Sequence, residues 1–215
     1  MKLIISVFLI LFTFSNTFSQ TKEIYTNPDF ARIAKNHKTL AILPFKTIMN
    51  LRPKQMQSMS QEAYNQILLD EGKAVQNALY TYFLKEKGKD GFIVSFQDIS
   101  KTNTILTRNF VDEVNIYSYT MEELSELLGV DGIISGILQT DKPMSDGASV
   151  AMGLLIGYYG NTNSGKCTIN VHDGQKGKLL WKYEKTLSRS LGSDTNTIIN
   201  AMMRKASRKF PYSKI

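Results

Sequence analysis

The sequence predicts an α/β (α+β) fold, in which helices pack against a small mixed β-sheet of about five strands. Five apolar runs of strand length recur along the chain, and stretches with helical periodicity lie between and after them. The opening order of strand, helix and strand favours parallel pairing. Two later runs are joined by the Gly-rich turn 174–177 and predict a hairpin, which is antiparallel.

Residues 1–19 have the pattern of a secretory signal peptide. Lys2 precedes the apolar run 3–14, and small and polar residues follow up to Gln20. The run is shorter than the ~20 apolar residues that a spanning helix needs. An uncleaved anchor is the alternative. No cysteine lies near the expected cut, which argues against a lipidated N-terminus, and we expect an exported protein.

The rest of the chain is long enough for one domain with a sizeable core. We expect an N-terminal arm over residues 20–37, with a helical turn at 30–34. A single α/β domain follows over residues 38–215. An apolar, Gly-rich insertion at about 144–165 interrupts this domain.

The first half of the domain predicts two strands around a long helix. The first strand covers 38–45 and ends at Pro44, and a polar loop over 49–60 follows. Ser60 begins the helix, which ends near Gly88. Its buried stripe recurs at helical spacing and comprises Ala63, Ile67, Val75, Leu79 and Phe83. The second strand covers 91–98, and residues 99–109 predict a turn of helix and then a loop.

The second half predicts a short helix, three strands and a final helix. Thr120 and Glu123 form a capping box, which starts a helix that Gly129 ends. The third and most apolar strand covers 130–139. The hairpin strands cover 167–173 and 178–187, and the last helix covers 195–210, with Asp194 as its N-cap and Pro211 at its end.

Charge and cysteine content narrow the class of partner. The formal net charge is +7, with scattered basic residues, which favours acidic proteins or an anionic membrane surface as partners. An exported protein does not meet nucleic acid.

Cys167 is the only cysteine, so it forms no intramolecular disulfide. His37 and His172 are the only histidines, and we expect no metal site unless carboxylates join them, and no cofactor.

Residues 160–168, GNTNSGKCT, come within one residue of the nucleotide-binding pattern G-x-x-x-x-G-K-[ST], with Cys167 in the final position. A phosphate-binding loop needs a helix after its lysine, because the free amides at the helix start hold the phosphates. Thr168 alternates with Ile169, as a strand requires. We therefore expect extended chain after Lys166, and a nucleotide binder is the least favoured function.

Other candidate chemistry is weak, and we expect no catalytic residue. Ser135 lacks the glycine spacing of a nucleophile elbow. His172 and Asp173 are neighbours in a strand, so their side chains face opposite sides. The carboxylates Glu122, Glu123 and Glu126 on one short helix are interpreted as a solvated face and a cap. The methionines Met144, Met152, Met202 and Met203 are interpreted as core residues.

Residues 148–160, ASVAMGLLIGYYG, are apolar and uncharged where a connection is normally polar. One interpretation is a buried loop or short helix that covers the core. The other is an exposed patch for a partner or a membrane surface, since contiguous apolar surface marks interaction sites. The candidate interaction surface comprises Met152, Leu154, Leu155, Ile156, Tyr158 and Tyr159.

Three segments together resemble one superfamily. Residues 40–45 read LAILPF, residues 128–136 read LGVDGIISG, and residues 177–181 read GKLLW. In this order they are similar to the first strand, the short helix with its following strand, and the last hairpin of the superfamily of the TolB amino-terminal domain, the curli-secretion lipoprotein and the penicillin-binding-protein activator lipoproteins. The likeness covers most of residues 38–210.

This resemblance implies an envelope protein without catalysis, in the periplasm or at the outer-membrane periphery of a Gram-negative bacterium. Such proteins act as accessory or assembly factors through contacts with other envelope proteins. The chain departs from the superfamily in lacking a lipobox cysteine and the hairpin insertions of a curli-type pore. The alternative is a peripheral or oligomeric outer-membrane component that uses residues 148–160. The resemblance transfers no functional residue and specifies no oligomeric state.

Overall fold

The fold is seen in a computed structural model, which describes residues 22–51, 53–88, 91–140, 163–189, 202 and 210–212. It contains one seven-stranded sheet. The strands are β1 (Lys22–Thr26), β2 (Thr39–Ile42), β3 (Lys46–Met49), β4 (Ser95–Phe96), β5 (Gly132–Thr140), β6 (Asn163–Asp173) and β7 (Leu179–Arg189). The helices are α1 (Phe30–Ala34), α2 (Pro53–Gln57), α3 (Gln61–Lys87), α4 (Ile99–Arg108) and α5 (Met121–Leu128), with a 3₁₀ turn at Ile116–Ser118.

The sheet is mixed, which confirms the predicted fold class. Its order is β1-β7-β6-β5-β2-β4, and β3 pairs with the second half of β5. β2 pairs in parallel with both β4 and β5, and β3 pairs in parallel with β5. The pairs β5–β6, β6–β7 and β7–β1 are antiparallel. The first hairpin strand begins at Asn163, earlier than predicted, and the chain after Lys166 is extended as expected.

The predicted first strand, 38–45, is shortened to β2 (Thr39–Ile42), and β3 (Lys46–Met49), which was not predicted, follows it after a bulge. Three residues, Leu43–Phe45, lie opposite only two residues of β5, because Ile42 pairs with Ile134 and Lys46 with Ile137. Pro44 has no backbone N–H for the ladder. The Phe45 ring crosses Gly136, where a Cβ atom would lie 2.1 Å from the ring. The extra residue within Leu43–Phe45 forms a bulge, and this bulge requires glycine at position 136 of β5.

The described residues form three apolar clusters, a small one around Met49 and Ile67 and two larger cores on the two faces of the sheet. The larger lies against α3 and is aromatic at its centre: the rings of Phe83 and Phe96 stack with centroids 4.5 Å apart, and the Phe210 ring lies 4.9 Å from Phe83. The second core lies beneath α4 and α5. It comprises Ala41, Leu43, Leu106, Val111, Ile116, Leu124, Leu128 and Ile133.

Helix ends follow their predicted caps. The Ser60 hydroxyl accepts from the Ala63 amide at 3.2 Å and begins α3. The capping box of α5 is complete: the Thr120 hydroxyl accepts from the Glu123 amide at 3.2 Å, and the Thr120 amide donates to the Glu123 carboxylate at 2.7 Å. Gly129 ends α5 in the left-handed conformation, with φ 65°.

Four predictions of local structure were wrong. Residues 99–108 form a complete helix, because the Asp98 carboxylate accepts from the amides of Ser100 and Lys101 and caps it. The predicted strand 91–98 is reduced to the two residues of β4, since the Ile93 amide donates to the carbonyl of Tyr212 instead. The expected loop 49–60 contains α2, and the N-terminal arm contains β1.

Other predictions lie outside the described residues. These are the signal peptide and the apolar insertion up to residue 162, whereas the predicted end of the insertion, 163–165, belongs to β6. Of the predicted last helix only Met202 and Phe210 are described: Met202 is helical, and both side chains are buried. Within the described residues, no helix is long and apolar enough to span a bilayer.

Candidate functional site

The residues predicted as an interaction surface, Met152, Leu154, Leu155, Ile156, Tyr158 and Tyr159, lie outside the described residues, and their role stays a prediction. The described part of the chain offers three other places to test for function: the lysine of the phosphate-loop pattern, a buried histidine cluster and an exposed apolar surface.

The lysine of the phosphate-loop pattern belongs to a sheet. Lys166 lies within β6 and forms an ion pair with Glu184 on β7. The hydrogen bond from Lys166 lowers the pKa of the Glu184 carboxyl, and the same bond raises the pKa of Lys166. Cys167 is fully buried, and burial raises the pKa of its thiol to about 12. These side chains stabilise two paired strands and form no phosphate cradle.

His37, Asp173 and Tyr212 meet in a buried cluster. His37 Nε2 lies 3.0 Å from Asp173 Oδ1, and Nδ1 lies 2.6 Å from the Tyr212 hydroxyl. In the neutral imidazole Nε2 donates, because a carboxylate only accepts, and Nδ1 then accepts from the Tyr212 hydroxyl. Burial raises the pKa of Tyr212, so this hydroxyl stays protonated. The cluster joins the start of β2, the end of β6 and the C-terminal residues.

His172 does not belong to this cluster, as its position in the strand predicted. It lies opposite Ile133 of β5, on the face that α5 covers. Burial lowers the pKa of its imidazole, and the nearby charge of Glu122 acts in the opposite direction. No cluster of three His, Cys, Asp or Glu side chains that could hold a metal ion occurs among the residues that the structure describes.

The exposed apolar surface consists of Phe110, Val114 and Tyr117, here named the apolar knob. These side chains follow α4 and are 87%, 85% and 50% exposed. Scattered exposed apolar residues are ordinary, but Phe110 and Tyr117 here line the same cavity, with Val114 between them in the chain, and exposed apolar surface beside a cavity is typical of an interaction site.

Phe110 is held in an unfavourable backbone conformation. Its φ is 56°, and among the described residues it is the only one other than glycine with a positive φ. The Phe110 amide donates to the Thr107 carbonyl at 3.1 Å, and the Val111 amide donates to the Leu106 carbonyl at 2.9 Å. This pair of bonds defines the helix ending in which glycine is usual at the position of Phe110. A large residue there costs free energy, and such strain concentrates at functional sites.

Side-chain hydrogen bonds fix the loop that carries the knob. The Asp112 carboxylate accepts from the amides of Val114 and Asn115, each at 2.8 Å. The Asn115 side chain accepts from the Asp112 amide at 2.9 Å and donates to the Phe110 carbonyl at 2.7 Å. The knob is therefore presented by an ordered loop, which reduces the entropy that binding would cost.

A cavity of about 350 Å³ adjoins the knob. Leu106, Val111 and Ile116 supply its buried apolar wall. At the rim, Lys73 and Glu113 form an ion pair at 3.2 Å. The ammonium group of Lys46 lies 4.6 Å from the centre of the Tyr117 ring, and partial burial, aided by the charge of Glu113, raises the pKa of the Tyr117 hydroxyl to about 12. The cavity can hold one apolar side chain from a partner.

Comparisons with known proteins give a likeness of fold. No protein-family model and no curated protein matches the chain. Solved structures that align with it include the PelC dodecamer from Paraburkholderia phytofirmans, at 11% identity and TM-score 0.41, over 86% of this chain and 93% of that one. They also include lipoprotein GNA1162 from Neisseria meningitidis, at 10% identity and TM-score 0.43, over 80% and 96% of the two chains.

A third solved structure is the LpoB C-terminal domain from Salmonella enterica, at 9% identity and TM-score 0.37, over 75% of this chain and 94% of that one. These are distant likenesses of fold, and membership of the predicted superfamily, including the link to TolB, stays a prediction. Likeness at this level identifies neither a family nor a function for the chain.

Proposed function

We propose that this chain is a non-catalytic, exported cell-envelope protein that acts as an accessory or assembly factor through contact with another protein. We assign that contact to the apolar knob. The observation that carries the proposal is Phe110, which is 87% exposed and strained at a position where glycine would relieve the strain. The signal-peptide pattern of residues 1–19 supports export.

The chemistry of the knob favours a protein partner over a lipid surface. Asp112 and Glu113 lie in the chain between Phe110 and Val114, and Asp112 is exposed. Insertion of the knob into a bilayer would bring these carboxylates against anionic headgroups and remove their hydration. A folded partner can instead offer an apolar side chain to the cavity and a basic group to Asp112.

Crosslinking in intact cells tests this proposal. The chain is crosslinked as the wild type and as the double variant Phe110→Gly with Val114→Ser, and the linked proteins are identified by mass spectrometry. We expect one partner protein to be captured by the wild type and to be lost at least tenfold from the double variant, because the apolar contact is removed. Phe110→Gly relieves backbone strain, so the variant stays folded.

The matched control is Leu84→Ser, which removes an apolar side chain that is 46% exposed on α3. This variant keeps the partner if the contact is local to the knob. Equal loss in both variants, or capture only of further copies of the same chain, contradicts the proposal. So does retention of the double variant on membranes after a salt wash with no protein partner captured.

A further inference from the structure

The cavity that adjoins the apolar knob, here called the first cavity, has a neighbour. A second cavity, of about 200 Å³, shares Pro44, Ile116 and Tyr117 with it, so the two are compartments of one groove. Neither Phe110 nor Val114 lines the second cavity, so the groove continues beyond the knob. The remaining apolar lining of the second cavity comprises Leu43, Met121, Leu124, Gly136 and Ile137.

Beside the second cavity, apolar side chains continue onto the sheet. Ile137 lies on the same face of β5 as Ile133, because side chains alternate along a strand. Ile133 is buried in the core beneath α4 and α5, whereas Ile137 is 38% exposed. On β3, Lys46 lies opposite Ile137, and Ile48, on the same face, is also 38% exposed. Accessible apolar surface therefore extends from the groove onto this part of the sheet.

The two cavities have opposite unpaired charges beside them. Asp112 lines the first cavity and is exposed, and its carboxylate forms no ion pair with any residue that the structure describes. The exposed Lys46, opposite Ile137 of the second cavity, likewise forms no ion pair within the described part of the chain. Lys73 and Glu113, in contrast, pair with each other. A partner along the groove therefore meets a negative charge at one end and a positive charge at the other.

We propose that this groove binds a peptide segment of the partner protein that carries two neighbouring apolar side chains, one for each cavity. The segment has a basic residue on the side of Asp112 and an acidic residue on the side of Lys46. This inference rests on the proposed function, because it describes the partner that the apolar knob contacts. It extends the contact from the loop after α4 to Ile137 on the sheet.

Each part of the segment matches a feature of the groove. The two cavities meet at Pro44, Ile116 and Tyr117, so the apolar side chains that enter them lie on one face of the segment. Apolar side chains in such pockets carry most of the affinity, and the opposite charges fix the direction in which the segment lies. An acyl chain would fill the cavities but would offer no group to Asp112 or Lys46.

Selection of peptides tests the inference. Random peptides displayed on phage are selected on the purified chain, and the dissociation constants of the enriched peptides are measured by fluorescence anisotropy. We expect these peptides to carry two apolar residues within about four positions of each other, the spacing that places side chains on one face of a helix or a strand. A basic residue at one end and an acidic residue at the other should accompany them.

Variants of the chain separate this inference from the proposed function. Phe110→Gly with Val114→Ser should weaken peptide binding at least about tenfold, which the proposed function alone already requires. Ile137→Ser should also weaken it about tenfold, which only the second cavity requires. The matched control is Ile93→Ser, which removes the same side chain at a position that is 55% exposed and lines neither cavity, and it should leave binding unchanged.

An exchange of charges gives a measurement that a merely structural role of Lys46 would not affect. Lys46→Glu should weaken binding about threefold to tenfold, because the acidic residue of the peptide then meets a like charge. Replacement of that acidic residue by lysine should restore binding to the variant. Lys46 is exposed, so the variant stays folded.

Several results would overturn the inference. Unchanged binding by Ile137→Ser, with loss in the double variant of the knob, would leave the proposed function standing with one cavity in use. Failure of the charge exchange to restore binding would show that Lys46 does not face the segment. Binding only after deletion of residues 148–160 would indicate that the chain's own segment fills the groove, and self-association abolished by Ile137→Ser would indicate a second copy. Enrichment of no peptide, or of peptides that bind the knob variant equally well, would contradict both proposals.

Discussion

Phe110 adopts a backbone conformation that residues other than glycine rarely adopt. The bonds that end α4 place it in the left-handed region, with φ 56°, and its side chain is exposed. No glycine follows α4, so the sequence carried no signal for this ending, and residues after 99 were predicted to leave the helix early. The candidate site was therefore not predictable from the sequence. Its signal is a backbone conformation, which the sequence pattern does not encode.

Replacement of Phe110 by glycine should stabilise the protein. Glycine adopts a positive φ without strain, so we expect Phe110→Gly to raise the free energy of unfolding by about 1 kcal/mol. Urea denaturation measures this change. Phe110→Ala removes the ring but keeps a Cβ atom, and most of the gain should be absent there. A gain of equal size in both variants would show that exposure of the ring, rather than backbone strain, is the cause.

Cys167 gives a second prediction at this scale. Burial raises the pKa of its thiol from 9.0 to about 12, so at pH 8.5 the folded chain should resist alkylation by iodoacetamide and react only when it unfolds. The neutral thiol is favoured in the folded state. The free energy of unfolding is therefore unaffected by this thiol below pH 9, where it is neutral in both states. It falls as the pH rises from 9 toward 12, because the unfolded chain then loses the proton more readily.

Alkylation rates with and without urea measure the protection of this thiol, which is the only one in the chain. For the pH dependence, the reference is Cys167→Ala, whose unfolding free energy should fall less steeply above pH 9 than that of the wild type. Rapid alkylation of the native chain would contradict the buried position in β6.

At the scale of the elements, prediction succeeded where the determinants are local. The caps of α3 and α5 lie within a few residues of the helices that they begin, and both helices were predicted to within about a residue. The strands β1 and β3 were missed because each is defined by a distant partner, β7 for the first and β5 for the second. Pairing over such separations has no local sequence pattern to reveal it.

The capping box of α5 should be important for stability. Thr120→Ala leaves the Glu123 amide without its acceptor at the start of an eight-residue helix. We expect a loss of about 1 kcal/mol in the free energy of unfolding. Thermal denaturation followed by circular dichroism measures it. Thr120→Ser keeps the hydroxyl and should lie close to the wild type, and an equal loss in the serine variant would show that the Thr120 methyl group matters instead.

At the scale of the whole molecule, the buried cluster of His37, Asp173 and Tyr212 joins distant parts of the chain. The hydrogen bond between His37 and Tyr212 spans 175 residues, and the one between His37 and Asp173 spans 136. The Phe30 ring also packs against Tyr212, with centroids 5.0 Å apart. Phe210 and Tyr212 therefore belong to the larger of the apolar cores.

Loss of the Tyr212 hydroxyl should destabilise the whole domain. Tyr212→Phe keeps the ring and leaves His37 Nδ1 buried without a donor, at a cost of about 1–3 kcal/mol. Urea denaturation, followed by both tyrosine fluorescence and circular dichroism, should show one transition at a lower midpoint. The control is Tyr25→Phe on the exposed strand β1, which should change little. Two separate transitions would show that the C-terminal residues are held independently.

The pairing of β1 with β7 also dictates when the sheet can be completed. Lys22 lies opposite Lys185, so β1, near the N-terminus, can pair only after β7, late in the chain, has been synthesised. Contacts of such high sequence separation form slowly. A chain that passes a membrane N-terminus first, as the signal-peptide pattern suggests, would present β1 on the far side long before its partner arrives. Wherever the chain folds, the sheet is complete only after the residues of β7 have joined those of β1 on the same side of any membrane.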